Sequence, residues 1–135
     1  MNVPVITLKE AEKAVRKHSF RIKKGKFYSK KQQKKADKFE EKHGFRYEDA
    51  WNLENSIACF VLPRLVQLRD TTHGYPSEFV EEVDGAKKWE EILNEMIYGF
   101  YIYVTKDSIF WNDEDKKAWF TAKCWFCRYF EDLWD

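Results

Sequence analysis

Apolar positions recur at helical spacing along three long stretches of the chain, and alternation is nowhere sustained. Between Leu53 and about Thr72, the residues Leu53, Ile57, Val61, Leu65 and Leu68 return once per helical turn, and Ala58, Leu62 and Val66 widen the stripe. This predicts a helix whose stripe faces the core. Asn52 stands where a cap is wanted, and His73 and Gly74 end the segment. Pro63 predicts a bend inside it, because it removes one backbone hydrogen bond and crowds the carbonyl of Cys59. A short helical turn is expected from Ser77, and Asp84 is placed to cap a helix carrying Trp89, Leu93, Met96, Ile97, Phe100, Tyr101 and Val104 on the same period. Asn112 caps a last helix, expected from Asp113 to about Leu133, whose three opening acids complement its dipole. Trp119, Phe120, Cys124, Trp125, Phe126, Cys127, Tyr129, Phe130, Leu133 and Trp134 go nearly all the way round it. Such a helix is either the central element of a bundle or a contact surface for a second molecule.

The first third of the chain reads differently. Thr7 followed by Glu10 has the form of a capping box, which predicts a helix from about Leu8 to about His18. From Ser19 to Ser29 a partial alternation surrounds Gly25, as either a small hairpin or an extended loop. Ser29 can cap a helix over Lys30 to His43, with Gly44 free to take the left-handed conformation that stops it. Only Ala36 and Phe39 offer this helix core contacts, so it should be largely solvated. The expected fold is therefore all-α, or mostly so: a compact helical bundle of about four to five helices, with the small hairpin near Gly25 as one option. The helices at Leu53, Ala86 and Asp113 should form its core, flanked by the basic helices before Phe45. No internal repeat or Gly/Ser/Pro-rich linker divides residues 1–135, so a single domain is expected, with a basic subregion at 1–46 and an aromatic-rich core at 47–135.

Composition excludes several classes. The chain has 135 residues, 44% of them hydrophobic, with 24 Trp, Tyr and Phe, which rules out disorder of the whole. Five Gly and three Pro are too few for a sandwich or barrel with a turn every ten residues or so. Met1 to Thr7 has no basic region before its short apolar stretch and is not read as a secretory signal; no run of about 18 apolar residues occurs. With an odd number of cysteines, three, the expectation is a reducing compartment, no membrane, and the cytoplasm of a host cell. The net charge of +1 hides an asymmetry: residues 1–46 carry 15 Lys or Arg against 5 Asp or Glu, and residues 47–135 carry 9 against 18. Either the basic third lies against the acidic remainder, or it faces an external polyanion.

From about Phe45 onward the chain resembles a group of small proteins encoded by bacterial viruses and their prophages. The residues that carry the resemblance are Glu48, Asp49, Ala50, Trp51, Asn52 and Leu53, then Leu62, Pro63, Arg64 and Leu65, then Thr72, His73, Gly74, Tyr75 and Pro76. Trp89, Ile92, Leu93, Met96, Ile97 and Phe100 come next, and Tyr129 to Trp134 close the pattern. Order and spacing, over about two-thirds of the chain, make the likeness specific. It implies an origin and transfers no functional residue, because the group carries no assigned reaction or ligand. The basic stretch before Phe45 lies outside the match.

Candidate chemistry is concentrated in that stretch. Between Lys13 and Lys38 lie 12 positive charges and one negative, interleaved with Phe20, Phe27 and Tyr28. Cations displace counterions from phosphates and rings stack on bases, so Lys23, Lys24, Lys26, Phe27, Tyr28, Lys30, Lys31, Lys34, Lys35 and Lys38 form a candidate surface for nucleic acid or a protein partner. Lysine dominates, which suits diffuse attraction better than bidentate base reading. The plainer reading is a solvated surface that balances the acidic remainder. Cys124 and Cys127 share a helix face, but two further zinc ligands are not evident, and burial among aromatics is the expectation. His73, near Arg69 and Asp70, is read as interacting with a helix terminus in preference to acting as a base. The acidic groups at Glu78–Asp84 and Asp113–Asp115 match no calcium loop. No cofactor or metal is expected. The expected role is a non-enzymatic viral accessory protein that binds a host protein or protein complex, with RNA or DNA binding as the alternative and a small hydrolase or redox enzyme as the least favoured. Self-association through the last helix is a separate expectation.

Overall fold

The computed structural model describes residues 2–20 and 29–135. Among these residues the chain is all-α, with α1 at Leu8–His18, α2 at Lys30–His43, α3 at Leu53–Thr71, α4 at Gly85–Thr105 and α5 at Asp113–Arg128. Short 3-10 turns at Tyr47–Ala50, Ser77–Phe79, Ser108–Phe110 and Phe130–Asp132 lie between or after them. The hairpin or loop expected near Gly25 lies outside the described residues.

The helix ends obey local hydrogen-bond chemistry. The Thr7 hydroxyl accepts from the Glu10 amide at 3.1 Å and donates to the Glu10 carboxylate, so the acid meets the hydroxyl and not the backbone. Ser29 with Gln32, and Asn112 with Asp115, form complete capping boxes on α2 and α5. Gly44 stops α2 at φ 80°, where a side chain would be strained. Asn52 and Asp84 do hold the cap positions of α3 and α4, but neither side chain caps. Their ψ values, 62° and 55°, fall short of the extended backbone that aims a cap oxygen at the first turn.

The core is built round α4. Trp89, Leu93, Met96, Ile97, Phe100 and Val104 are buried along it, as their spacing predicted, with Ile92 buried beside them and Tyr101 of the same stripe half-buried. On one side α5 comes very close: a Cβ on Gly99 would stand 2.2 Å from the Ala122 Cβ and 2.6 Å from the Ala118 carbonyl oxygen. Only a glycine admits that approach. On the other side α3 packs against α4, and α1 lies on both, contributing Ala11 and Ala14 with Ile6 just before it. The basic α1 is therefore part of the core and not simply a flank.

Two polar side chains fasten α1 at its ends. Arg69, nearly buried, donates to the Ile6 carbonyl at 2.9 Å while also holding Asp70 and Asn94. Buried Asn55 accepts from the Phe20 amide at 2.9 Å and donates to the His18 carbonyl at 3.3 Å. These bonds supply partners for backbone groups at the ends of the helix, where none lies within it.

Three expectations are corrected by this packing. The stripe of α3 that meets the core is Asn55, Ala58, Cys59, Leu62, Leu65 and Val66, while Leu53 and Ile57 are exposed. Ala58 is buried in the same cluster as Ala11 and Ala14 of α1, which packs on α3. The last helix ends at Arg128: Tyr129 leaves α geometry and buries its ring against Phe79, Trp89 and Trp125 before the final 3-10 turn. Burial, with a hydrogen bond to Glu78, pushes the Tyr129 hydroxyl up to about 12. Cys124 and Cys127 are exposed, not buried, because the Ala118–Ala122 side of α5 is the one pressed to Gly99 and the thiols lie on the opposite side.

Candidate interaction surface

The lysines of α2 are gathered by helix geometry. Successive residues turn by about 100°, so Lys30, Lys31, Lys34, Lys35, Lys38 and Lys42 fall within roughly 140° of one another on the circumference. All six are exposed, and the opposite edge of the helix buries Gln33 and Ala36. Five of the predicted site residues thus share one solvated face. The other five, Lys23, Lys24, Lys26, Phe27 and Tyr28, lie outside the described residues.

An aromatic clasp holds this helix. The Phe39 ring meets His43 at 4.3 Å and both Phe45 and Tyr47 edge-on at 5.6 Å, and Tyr47 goes on to Trp51 at 5.4 Å. Left-handed Gly44 turns the chain so that Phe45 can fold back on Phe39. Beneath the clasp Arg46 pairs with buried Glu48. Edges of the clasp remain open to solvent at Phe45 and Trp51.

From that open edge an apolar stripe continues along α3. Leu53, Ile57, Phe60 and Arg64 are spaced by four, three and four residues, so they line up along one side of the helix over about 16 Å. Phe45, Trp51, Leu53, Ile57 and Phe60 are between 46% and 63% exposed, a high proportion for five large apolar side chains in one region. Beside the stripe runs a groove of about 640 Å³, walled by Val15, Phe45, Ile57, Phe60 and Val61. Its polar groups are turned inward: the Ser56 hydroxyl donates to the Asp49 carbonyl at 2.8 Å, and burial pushes the Cys59 thiol upward. Arg16 and Arg64 stand at the rim. The Arg64 guanidinium lies 3.7 Å from the centre of the Phe60 ring and donates to the Phe60 carbonyl at 2.9 Å. The sequence reading assigned Leu53 and Ile57 to the core and left Phe60 out of the stripe. The available signal was the Phe60–Arg64 pair one turn apart, a ring and a cation on a side of the helix that the core does not claim.

The remaining candidates are dispersed. The His73 side chain is 91% exposed and its Nδ1 lies 3.3 Å from the Asp135 carboxylate, while the His73 amide holds that carboxyl below the usual carboxylate range. Arg69 and Asp70 bond to each other. A second cleft of about 450 Å³ opens between Phe20, Tyr103 and Trp111, where burial, then Lys17, lowers the pKa of His18, and burial, then Glu54, raises that of Tyr103. Phe120 and the two thiols lie exposed on the outer side of α5, and Phe130 is exposed in the 3-10 turn beyond it. Among the described residues no three His, Cys, Asp or Glu side chains come together as a metal site, and no helix is long and apolar enough to cross a membrane. Compared with protein-family models, curated proteins and solved structures, the chain finds no match.

Proposed function

We propose that the chain is a non-enzymatic accessory protein of a bacterial virus that acts by binding a protein or protein complex of the host, in the host cytoplasm, to take over the cell or counter its defences. The observation that carries the binding role is the exposed apolar stripe on α3 bordered by cationic side chains. Apolar anchors within a charged rim are the composition of a protein-binding surface. The viral origin rests on the ordered motifs at Trp51–Leu53, Leu62–Leu65, Thr72–Pro76 and Tyr129–Trp134. The test is affinity capture on the tagged chain from virus-infected cells at moderate salt, with and without nuclease. A host protein retained after nuclease treatment is the expected result; recovery of nucleic acid alone defeats the reading.

The lysine face of α2 favours a second reading, in which RNA or DNA is the target. Under it, a mobility shift of labelled RNA or DNA weakens steeply with salt and disappears when Lys30, Lys31, Lys34 and Lys35 are changed to Glu. The absence of a shift at low salt eliminates it.

A further inference from the structure

We infer that Cys124 and Cys127 form a two-thiolate site for a soft monovalent metal ion, copper(I), on the outer side of α5. Burial among aromatics is what the sequence predicts for this pair, yet both thiols are exposed. Successive residues of a helix turn by about 100°, so residues three apart lie about 60° from each other on the circumference and nearly one turn apart along the axis. Ala118 and Ala122 are pressed to Gly99 on the inner side of α5, and the two thiols share the opposite side with exposed Phe120, one turn before Cys124. The site stands apart from the surfaces on α2 and α3 and does not depend on the binding role proposed for them.

Spacing favours a metal over a disulfide. Side chains three apart on a helix hold their Cβ atoms about 5–6 Å from each other. A disulfide needs about 3.5–4.5 Å, so joining the sulfurs directly would pull the last turn of α5 out of shape. Two metal–thiolate bonds of about 2.3 Å laid in line span about 4.6 Å, a separation that sulfurs on those Cβ atoms reach with the helix intact. The donor set then selects the ion. Among the described residues no further His, Cys, Asp or Glu side chain joins the pair as a third ligand. Calcium and magnesium take six or more oxygens, and a closed zinc site takes four ligands. Copper(I), a closed-shell ion that favours thiolates, is satisfied by two. Local charge is even and neither draws nor repels the ion. Lys123 and Arg128 lie four residues from Cys127 and Cys124, against Glu131 and against Glu78, which is 3.6 Å from Arg128. On binding, both thiols give their protons to solvent, two copper–sulfur bonds form and the metal keeps its oxidation state.

The test titrates the full chain, reduced and under nitrogen, with copper(I) held by bathocuproine disulfonate, whose colour fades as the ion is withdrawn. Wild type and Cys59→Ser should each withdraw one ion per chain. Cys124→Ser and Cys127→Ser should each lose at least tenfold in affinity, with unchanged far-UV circular dichroism. Combining Cys124→Ser with Lys117→Cys keeps two thiols at exposed positions of α5 but sets them about 15 Å apart, and this variant should bind no better than Cys124→Ser alone. No withdrawal by wild type overturns the inference, as does a loss below tenfold in either single variant or wild-type affinity with the thiols separated. So does uptake of one ion per two chains with a dimer in sedimentation, because the site would then be built by two copies.

Discussion

α4 and α2 are both regular helices, yet they owe their position to opposite things. α4 buries ten residues and touches α1, α3 and α5, so tertiary packing would hold it whatever its surface carried. α2 buries only Gln33 and Ala36, and among the described residues it packs against the Tyr47–Ala50 turn and the rings around Phe39. It is held by its capping box, its glycine stop and an aromatic clasp at one end. The difference shows how one small domain can separate what makes it stable from what it displays: the lysines sit where their replacement costs the fold little.

Breaking the comparison at its stronger side should have the largest effect. Leu93 is completely buried, and Leu93→Ala should lower the unfolding free energy by about 2–5 kcal/mol, whereas Lys34→Ala should stay within about 0.5 kcal/mol. Urea titration of both variants measures the contrast, and a comparable loss in the two would erase it. Next comes the α4–α5 contact. Gly99→Ala should cost about 1–3 kcal/mol by overpacking, and adding Ala122→Gly should restore only part, since the Ala118 carbonyl still stands 2.6 Å from the new methyl. Full recovery would show that the backbone can yield there.

A subtler effect concerns the corner joining α4 to α5. The Lys106 ammonium bonds the Asp115 carboxylate, and with the Asn112 amide it holds that carboxyl below the usual carboxylate range. A depressed native value means that the contribution is complete above the unfolded-state value and is lost as pH falls through the native one. Urea midpoints should therefore decline below about pH 4, and Asp115→Asn should lie lower at neutral pH with a shallower acid decline. Parallel curves for the two proteins would remove this account. The smallest perturbation sharpens the difference between inside and outside: of the three thiols, Cys124 and Cys127 should react at once with a colorimetric thiol reagent under native conditions, and Cys59 only on unfolding. Three fast thiols, or one, would contradict the packing of α5 and α3.

The parts legible in the sequence are those where a single force decides. α4 could be read directly, because its large apolar residues occupy one side and the core uses that side. The caps at Thr7, Ser29 and Asn112 are short-range chemistry and were equally readable. α3 was read in part: Ala58, Leu62, Leu65 and Val66 are buried as expected, while Leu53 and Ile57 belong to a second apolar stripe beside them that stays exposed. No spacing rule ranks a polar Asn55 as a core residue; its burial stems from the loose backbone ends at His18 and Phe20, which lie more than thirty residues earlier. The thiols of α5 were misplaced for a related reason. Aromatic residues ring that helix, so the pattern names no inner side, and the choice falls to Gly99 on another helix. Of the candidate site, the α2 lysines were visible as composition, while the α3 stripe emerged only when the core declined it.

Because Arg69 pins the start of α1 and Asn55 its end, the cations of that helix hold fixed places on the molecule before any encounter takes place. A ligand that docked there, as the proposed binding role requires, would meet a backbone already in place. The backbone ordering that a tail would undergo on docking has already happened during folding, so binding through this helix would pay only for its side chains.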